Sequence, residues 1–287
     1  MILQSLVRYY EDLLQQNDKK PMDERIPKLG WCLARVSYMI ELKEDGTVKQ
    51  IISLKTEALK PQILCVPEMF SRSGKCPPAY FLCDNAKYLM GIDIKDRFED
   101  SRKKHLEILK DTESILAKAI CKYFEKWDPE KAKDNPKVQE RWEELNDGGN
   151  IIFGMRDHYA QDDEEIQKTW EDYQERIKEG QIGKCLVTGK ETEIARIHRG
   201  IKGVPGAQSS GAALVSFNAT AFESYGKEQS YNAPVGKYAE FAYTTALNYL
   251  LNKKEYTLRL GDSMIVYWAE SAQETYQRTF FTLINPQ

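Results

Sequence analysis

Between Lys202 and Asn218 the chain reads KGVPGAQSSGAALVSFN. Gly203, Gly206 and Gly211 fall within nine residues, Pro205 stands among them, and no charged side chain occurs from Gly203 to Phe222. Glycine serves where a backbone takes positive φ or lets another backbone come close, and ordering it costs entropy. Such a run is a tight turn or a contact surface before it is a helix. It is long enough to cross a bilayer on count alone, but its glycines, Pro205, Gln208, serines and Asn218 make it far too polar. Its last part, AALVSF, is predicted as a buried strand from the apolar run. Lys202 at the entrance and Gln208, Ser209 and Ser210 at the centre offer a cation, an amide and hydroxyls, groups that contact phosphates and base edges. A polar connection between two strands is the plainer reading of the same residues.

Taken in order, the chain alternates helical and extended patterns. Residues 1–16 place Leu3, Leu6, Val7, Tyr10, Leu13 and Leu14 on one side at helical spacing. After a Pro-interrupted connection, 31–42 and 47–54 form a hairpin across Lys43-Glu44-Asp45-Gly46, and 62–66 is a third strand ended by Pro67. FLCDNAKYLMG reads as a strand entering a short helix capped by Asp84 or Asn85. Residues 95–127 are predicted as one long helix with His105 half-buried on its apolar side. Shorter helices follow over 136–145 and 162–179, with a strand at 151–155 between them. Hairpins are predicted at 182–197 and 256–269, a helix at 232–251 and a last helix at 271–284.

The net charge of −3 conceals a division. From Asp93 to Glu179 there are 17 Lys/Arg against 24 Asp/Glu, which leaves 24 against 20 for the flanks. The acidic middle and the mildly basic ends are expected to face different surroundings. With 41% hydrophobic and 30% charged residues the chain has the make-up of a soluble globular protein. The fold class expected is α+β: a β-hairpin-rich core with an acidic helical insertion and flanking helices. The organisation expected is an N-terminal helix and β-rich module over 1–92, the insertion over 93–180, and the Gly-rich loop with its hairpin and helix over 181–287.

Six cysteines without a CxxC pair and three scattered histidines give no zinc pattern. No secretory signal is read, and a cytoplasmic protein with free thiols is expected. No nucleophile elbow, P-loop, dinucleotide fingerprint or HExxH is present, so no cofactor and no catalytic set are expected. His198, beside Arg199, is the single candidate base, with no acid placed to orient it. In Phe70-Ser-Arg-Ser-Gly-Lys-Cys-Pro-Pro-Ala79, the residues Arg72, Ser73, Gly74 and Lys75 lie together ahead of a Pro-Pro stop. Two cations around a glycine suit phosphate binding.

The block CLVTGKETEIARIHRGIKGVPGAQSSGAALVSFNATAFESYGKEQSYNAPVGKYAEFAYTTALNYLL resembles the signature region of the large subunit of type I-C CRISPR Cascade. MILQSLVRYYEDLL and SGKCPPAYFLCDNAKYLMG are similar to the same family in the same order. Members are considerably longer, with a helical C-terminal part resembling the Cascade small subunit, and the resemblance covers the portion before it. It implies an RNA-guided surveillance complex in which the large subunit lies near the 5′ end of the CRISPR guide RNA beside other Cascade subunits. It further implies that this subunit reads a T-rich PAM in double-stranded target DNA, starts strand separation and helps recruit a helicase-nuclease. Phage anti-CRISPR proteins then become candidate partners. Pairing by the guide reads sequence while protein reads PAM and backbone, and the residues expected at the DNA are Arg72, Ser73, Lys75, Arg199, Lys202, Gln208, Ser209, Ser210 and Asn218. An enzyme using His198 and a purely structural scaffold subunit are the competing classes.

Overall fold

The computed structural model describes residues 2–21, 24–69, 72, 77–92, 94–177, 180–208, 211–269, 279 and 282. Its contacts divide the chain into two compact units, one of residues 30–177 and one of residues 1–29 with 178–287. The boundary near 178 lies close to the expected end of the insertion. No boundary falls near 92, because the acidic helices pack directly onto the strands of the first hairpin.

In the 30–177 unit the organising element is strand β1, Trp31–Leu42. Its C-terminal half pairs antiparallel with β2, Val48–Ser53, and its N-terminal half with β3, Gln62–Pro67. On its other edge β1 runs parallel to β4, Asn150–Met155, with Ile40 opposite Phe153, and β5, His158–Tyr159, continues the sheet. A parallel pair needs a crossover of a dozen residues or more, and here helices supply it. The expected single helix over 95–127 is two: α3, Lys95–Leu109, and α4, Ile115–Lys126. The break comes at Ser114, whose side chain caps α4 by accepting the Ala117 N–H.

Alternation along the strands serves two cores. Tyr38, Ile40, Leu42, Ile151 and Phe153 meet Phe98, Ile120, Tyr123 and Phe124 from α3 and α4. Val36, Met39 and Ile152 meet Leu64, Val66 and Cys83 in a second cluster. His105 is fully buried rather than half-buried, stacked on Phe124, and its Nε2 accepts the Leu82 N–H at 2.9 Å. Burial first of all holds its pKa down to about 3. A short helix α2, Ala86–Leu89, is capped by Asn85, and α5, Pro136–Gln139, α6, Trp142–Asn146, and α7, Glu164–Arg176, complete the unit.

The other unit is built on two helices. In α1, Ile2–Gln15, the residues Leu6, Tyr9, Tyr10 and Leu13 are buried, in one cluster with Phe241, Ala242, Ala246 and Leu250 of α8, Lys237–Leu251. Tyr10 meets Phe241 edge-on at 5.8 Å, and its hydroxyl donates to the Pro27 carbonyl. Two hairpins belong here: β6–β7, Ile182–Lys184 with Glu191–Glu193, and β8–β9, Thr257–Leu260 with Ser263–Val266. Both are shorter than the sequence pattern suggests. The helix expected over 271–284 lies outside the described residues apart from Thr279 and Thr282, which are helical. Among the described residues no helix is long and apolar enough to cross a membrane.

Candidate nucleic-acid interface

One side of α8 carries polar groups that hold the backbone leading into the glycine-rich stretch. Glu240 is almost wholly buried and accepts the Arg199 N–H at 2.6 Å and a second hydrogen bond from the Arg199 guanidinium. Tyr243 Oη lies 2.6 Å from His198 Nδ1. Asn248 donates to the Gly200 carbonyl at 3.2 Å and accepts the Lys202 N–H at 2.8 Å. From Glu240 to Asn248 the helix advances about 12 Å, and over that distance it fixes His198, Arg199, Gly200 and Lys202 one after another. Ile201 turns its apolar side chain into the α1–α8 core and pairs its backbone with Ala212 in an isolated bridge. Gly211, at φ +100°, crosses the Gly200 backbone so closely that a Cβ would stand 3.0 Å from Gly200 Cα, which is why glycine is needed there.

Beyond this clamp the chain leaves the core. Lys202 is exposed and makes no ion pair among the described residues. Gln208 and Asn218 are exposed, whereas Ser209 and Ser210 lie outside the described residues. The strand expected over AALVSF does not form, since past Ala212 these residues have no paired partner; Leu214 is 54% exposed. An apolar run alone cannot supply the ladder hydrogen bonds a strand needs. The segment stays outside until a turn organised by Asn232, whose side chain accepts from Ser224 N–H and donates to the Lys227 and Gln229 carbonyls. That turn holds Tyr225 at 99% exposure.

Two expected phosphate contacts are committed elsewhere. The Arg72 guanidinium makes a two-pronged pair with Asp84 at 2.6 and 2.7 Å, donates to the Pro78 carbonyl, and lies over the rings of Tyr80 and Tyr88 at 3.8 and 4.0 Å. Its side chain is 15% exposed and that of Asp84 is fully buried. The sequence showed the cation but not this distant carboxylate, and the pair satisfies a charge the core could not otherwise hold. Ser73 and Lys75 lie outside the described residues. Arg199 is likewise turned to Glu240 and over Phe241.

His198 is no better placed for proton transfer with a substrate. It is 4% exposed, its Nε2 is buried without a partner among the described residues, and burial followed by the Arg199 charge pushes its pKa down to about 4. Among the described residues no three potential metal ligands come together. The residues that sequence reasoning missed are Glu240, Tyr243 and Asn248. Glu240 carried a signal, as the lone charge from Tyr238 to Asn252, with Lys237 the helix's other charged residue at its first position.

The segment and its clamp lie inside a much longer likeness. The chain has no match among curated proteins. Residues 6–287 match the family described as CRISPR-associated protein (Cas_Csd1), a span that takes in both units. The chain therefore belongs to the CRISPR-associated protein (Cas_Csd1) family.

Proposed function

We propose that this chain is the DNA-recognition subunit of an RNA-guided type I-C Cascade complex, where it reads the PAM in double-stranded target DNA and promotes strand separation without catalysing a reaction. Its partners are then the other subunits, the guide RNA, the target duplex and the helicase-nuclease that follows. The observation that carries this reading is the contrast at Lys202. Up to that residue the backbone is held by Glu240 and Asn248, and after it the described residues of the uncharged segment, Gln208 among them, are exposed or half-buried. A rigid base with an exposed polar segment suits a reader of base edges, because the segment is carried without reaching from a mobile tail. A T-rich site offers thymine O2 and adenine N3 in the minor groove, which amide and hydroxyl donors meet, and a major-groove approach lets Gln208 pair with adenine. The buried, Tyr243-bonded state of His198 favours this over the enzymatic reading.

The test uses the assembled complex carrying Gln208→Ala with Ser209→Ala. Binding to a PAM-containing duplex should fall roughly tenfold to a hundredfold, the worth of one lost base contact. Binding to a target already unpaired beside the PAM should be spared, both at one salt concentration. Equal loss on both DNAs from an intact complex would remove the strand-opening role, and no loss on either would leave a connection that touches no DNA.

A further inference from the structure

The 30–177 unit has its own cleft, of about 440 Å³, where the middle of β1, the start of α2 and the start of β4 converge. That size lies in the range of small-molecule sites, roughly 300–1,000 Å³. Two cations line it, Arg35 from β1 and Lys87 from α2. Neither makes an ion pair among the described residues, unlike Lys49, Arg72, Lys95, Lys118, Arg141 and Arg156 of the same unit. Two unpaired cations on separate elements facing one cleft are a site for an anion.

The rest of the lining narrows the anion. Asn85 uses its Oδ1 on the Lys87 N–H and Asn150 uses its Nδ2 on the Arg35 carbonyl, which leaves the other half of each amide without a partner among the described residues. Paired half-used amides suit the edge of a nucleobase, which mixes donors and acceptors. Pro61 and the buried Leu145 give the cleft an apolar wall for the face of a ring. Asp147 is the one carboxylate in the lining. It would repel a phosphate beside it, yet it accepts hydrogen bonds from sugar hydroxyls, as acidic residues do in nucleotide sites. At Gly148 a side chain would meet nothing within 4 Å, so the mouth beside Asp147 is open.

We propose that this cleft binds one ribonucleotide unit, with its phosphate on Arg35 and Lys87, its ribose hydroxyls on Asp147 and its base against the amides. The unit is a free nucleotide or one residue of an RNA strand. The experiment is calorimetric titration of the full chain with AMP, dAMP and inorganic phosphate, and with 5′-phosphorylated ribo- and deoxyribo-hexamers. AMP should bind more tightly than dAMP and far more tightly than phosphate, and the ribo-hexamer more tightly than the deoxyribo-hexamer. A ribo-hexamer stronger than AMP identifies a strand as the source, and equal affinities identify a free nucleotide. Arg35→Gln with Lys87→Gln should weaken AMP roughly tenfold to a hundredfold with thermal unfolding unchanged, while Arg35→Lys keeps most of the affinity. Should the double variant unfold, Asp147→Asn alone decides, since it should abolish the preference for AMP over dAMP. The proposal is overturned by no AMP binding to the unaltered chain, by phosphate binding as well as AMP, by undiminished binding in a folded double variant, or by an Asp147→Asn chain that still prefers AMP.

Discussion

In the unit of residues 30–177, β1 is paired on both edges and covered on both faces, and the buried carboxylates Glu41 and Asp84 each face a cation, Lys49 and Arg72. In the unit of residues 1–29 and 178–287 the core is a helix pair, and none of the described residues from Lys202 to Glu228 is buried in it. Backbone that leaves a core gives up ladder bonds and apolar contact, so it is held only if something else fixes its ends. Here the fixing groups are Glu240, Asn248 and Asn232. A buried polar group in the first unit completes a core, whereas in the second it supports an exposed segment.

The largest effect belongs to Arg72. Arg72→Ala leaves Asp84 charged and fully buried, which should cost about 3–5 kcal/mol of unfolding free energy. Chemical denaturation measures it. If stability were unchanged and only the salt dependence of DNA binding fell, Arg72 would be a phosphate contact and the two units would not differ in this way.

Next comes Arg199, whose side chain is 35% exposed against 15% for Arg72. Water can replace part of what Arg199→Ala removes, and the Arg199 N–H still donates to Glu240, so the loss should be smaller, about 1.5–3 kcal/mol for the charged hydrogen bond removed. Hydrogen exchange should quicken at Gly200 to Lys202 more than in β1. A double-mutant cycle with Glu240→Ala should recover most of the loss, because the buried carboxylate goes too.

Much of this was legible from local pattern, and most of the failures share one cause. Helices α1 and α8, and the hairpin through Gly46, follow from spacing and turn chemistry that neighbours in sequence settle. The division of 95–127 was missed although its signal is local, Ser114 being a capping residue inside the helical run. What could not be read is pairing across distance: β1 with β4 some hundred residues on, Arg72 with Asp84, and Glu240 with Arg199. AALVSF failed in the same way, because its apolar run says nothing about whether a partner strand exists. Arg72 and Arg199 were expected at the DNA because a sequence shows a charge but not its counter-charge, and in the fold each faces a buried carboxylate.

A third effect compares the two buried histidines, one in each unit. Both pKa values are depressed in the folded chain, to about 3 for His105 and about 4 for His198. An unfolded histidine takes up its proton near 6.5. Between that pH and the folded value only the unfolded chain is protonated, so stability is intact above about 6.5 and falls as the pH drops. The slope contributed is at most about 1.4 kcal/mol per pH unit for each histidine. It should level off near pH 4 for His198 and continue towards pH 3 for His105. Nuclear magnetic resonance titration checks this directly: neither imidazole should titrate between pH 8 and 5, and His198 should respond first. Titration of His198 near 6.5 would mean that the clamp under the exposed segment is open in solution.

The smallest effect on stability and the sharpest on function should come from Lys202. Its backbone is held by Asn248, but its side chain is exposed, so Lys202→Ala removes no side-chain hydrogen bond or ion pair among the described residues. Stability should stay within about 0.5 kcal/mol. If the ammonium neutralises one phosphate in the bound complex, the slope of log affinity against log salt should become shallower by about one. The loss should be the same for targets with and without the PAM, because a phosphate contact carries no sequence information. Asn248→Ala makes the complementary cut: it frees the Lys202 backbone and leaves the charge in place. That variant should keep the salt slope and lose discrimination between PAM and non-PAM duplex, since the segment is then no longer held at its entrance. Should both variants change only the salt slope, Lys202 would act as a general basic contact and the clamp on α8 would have no part in reading sequence.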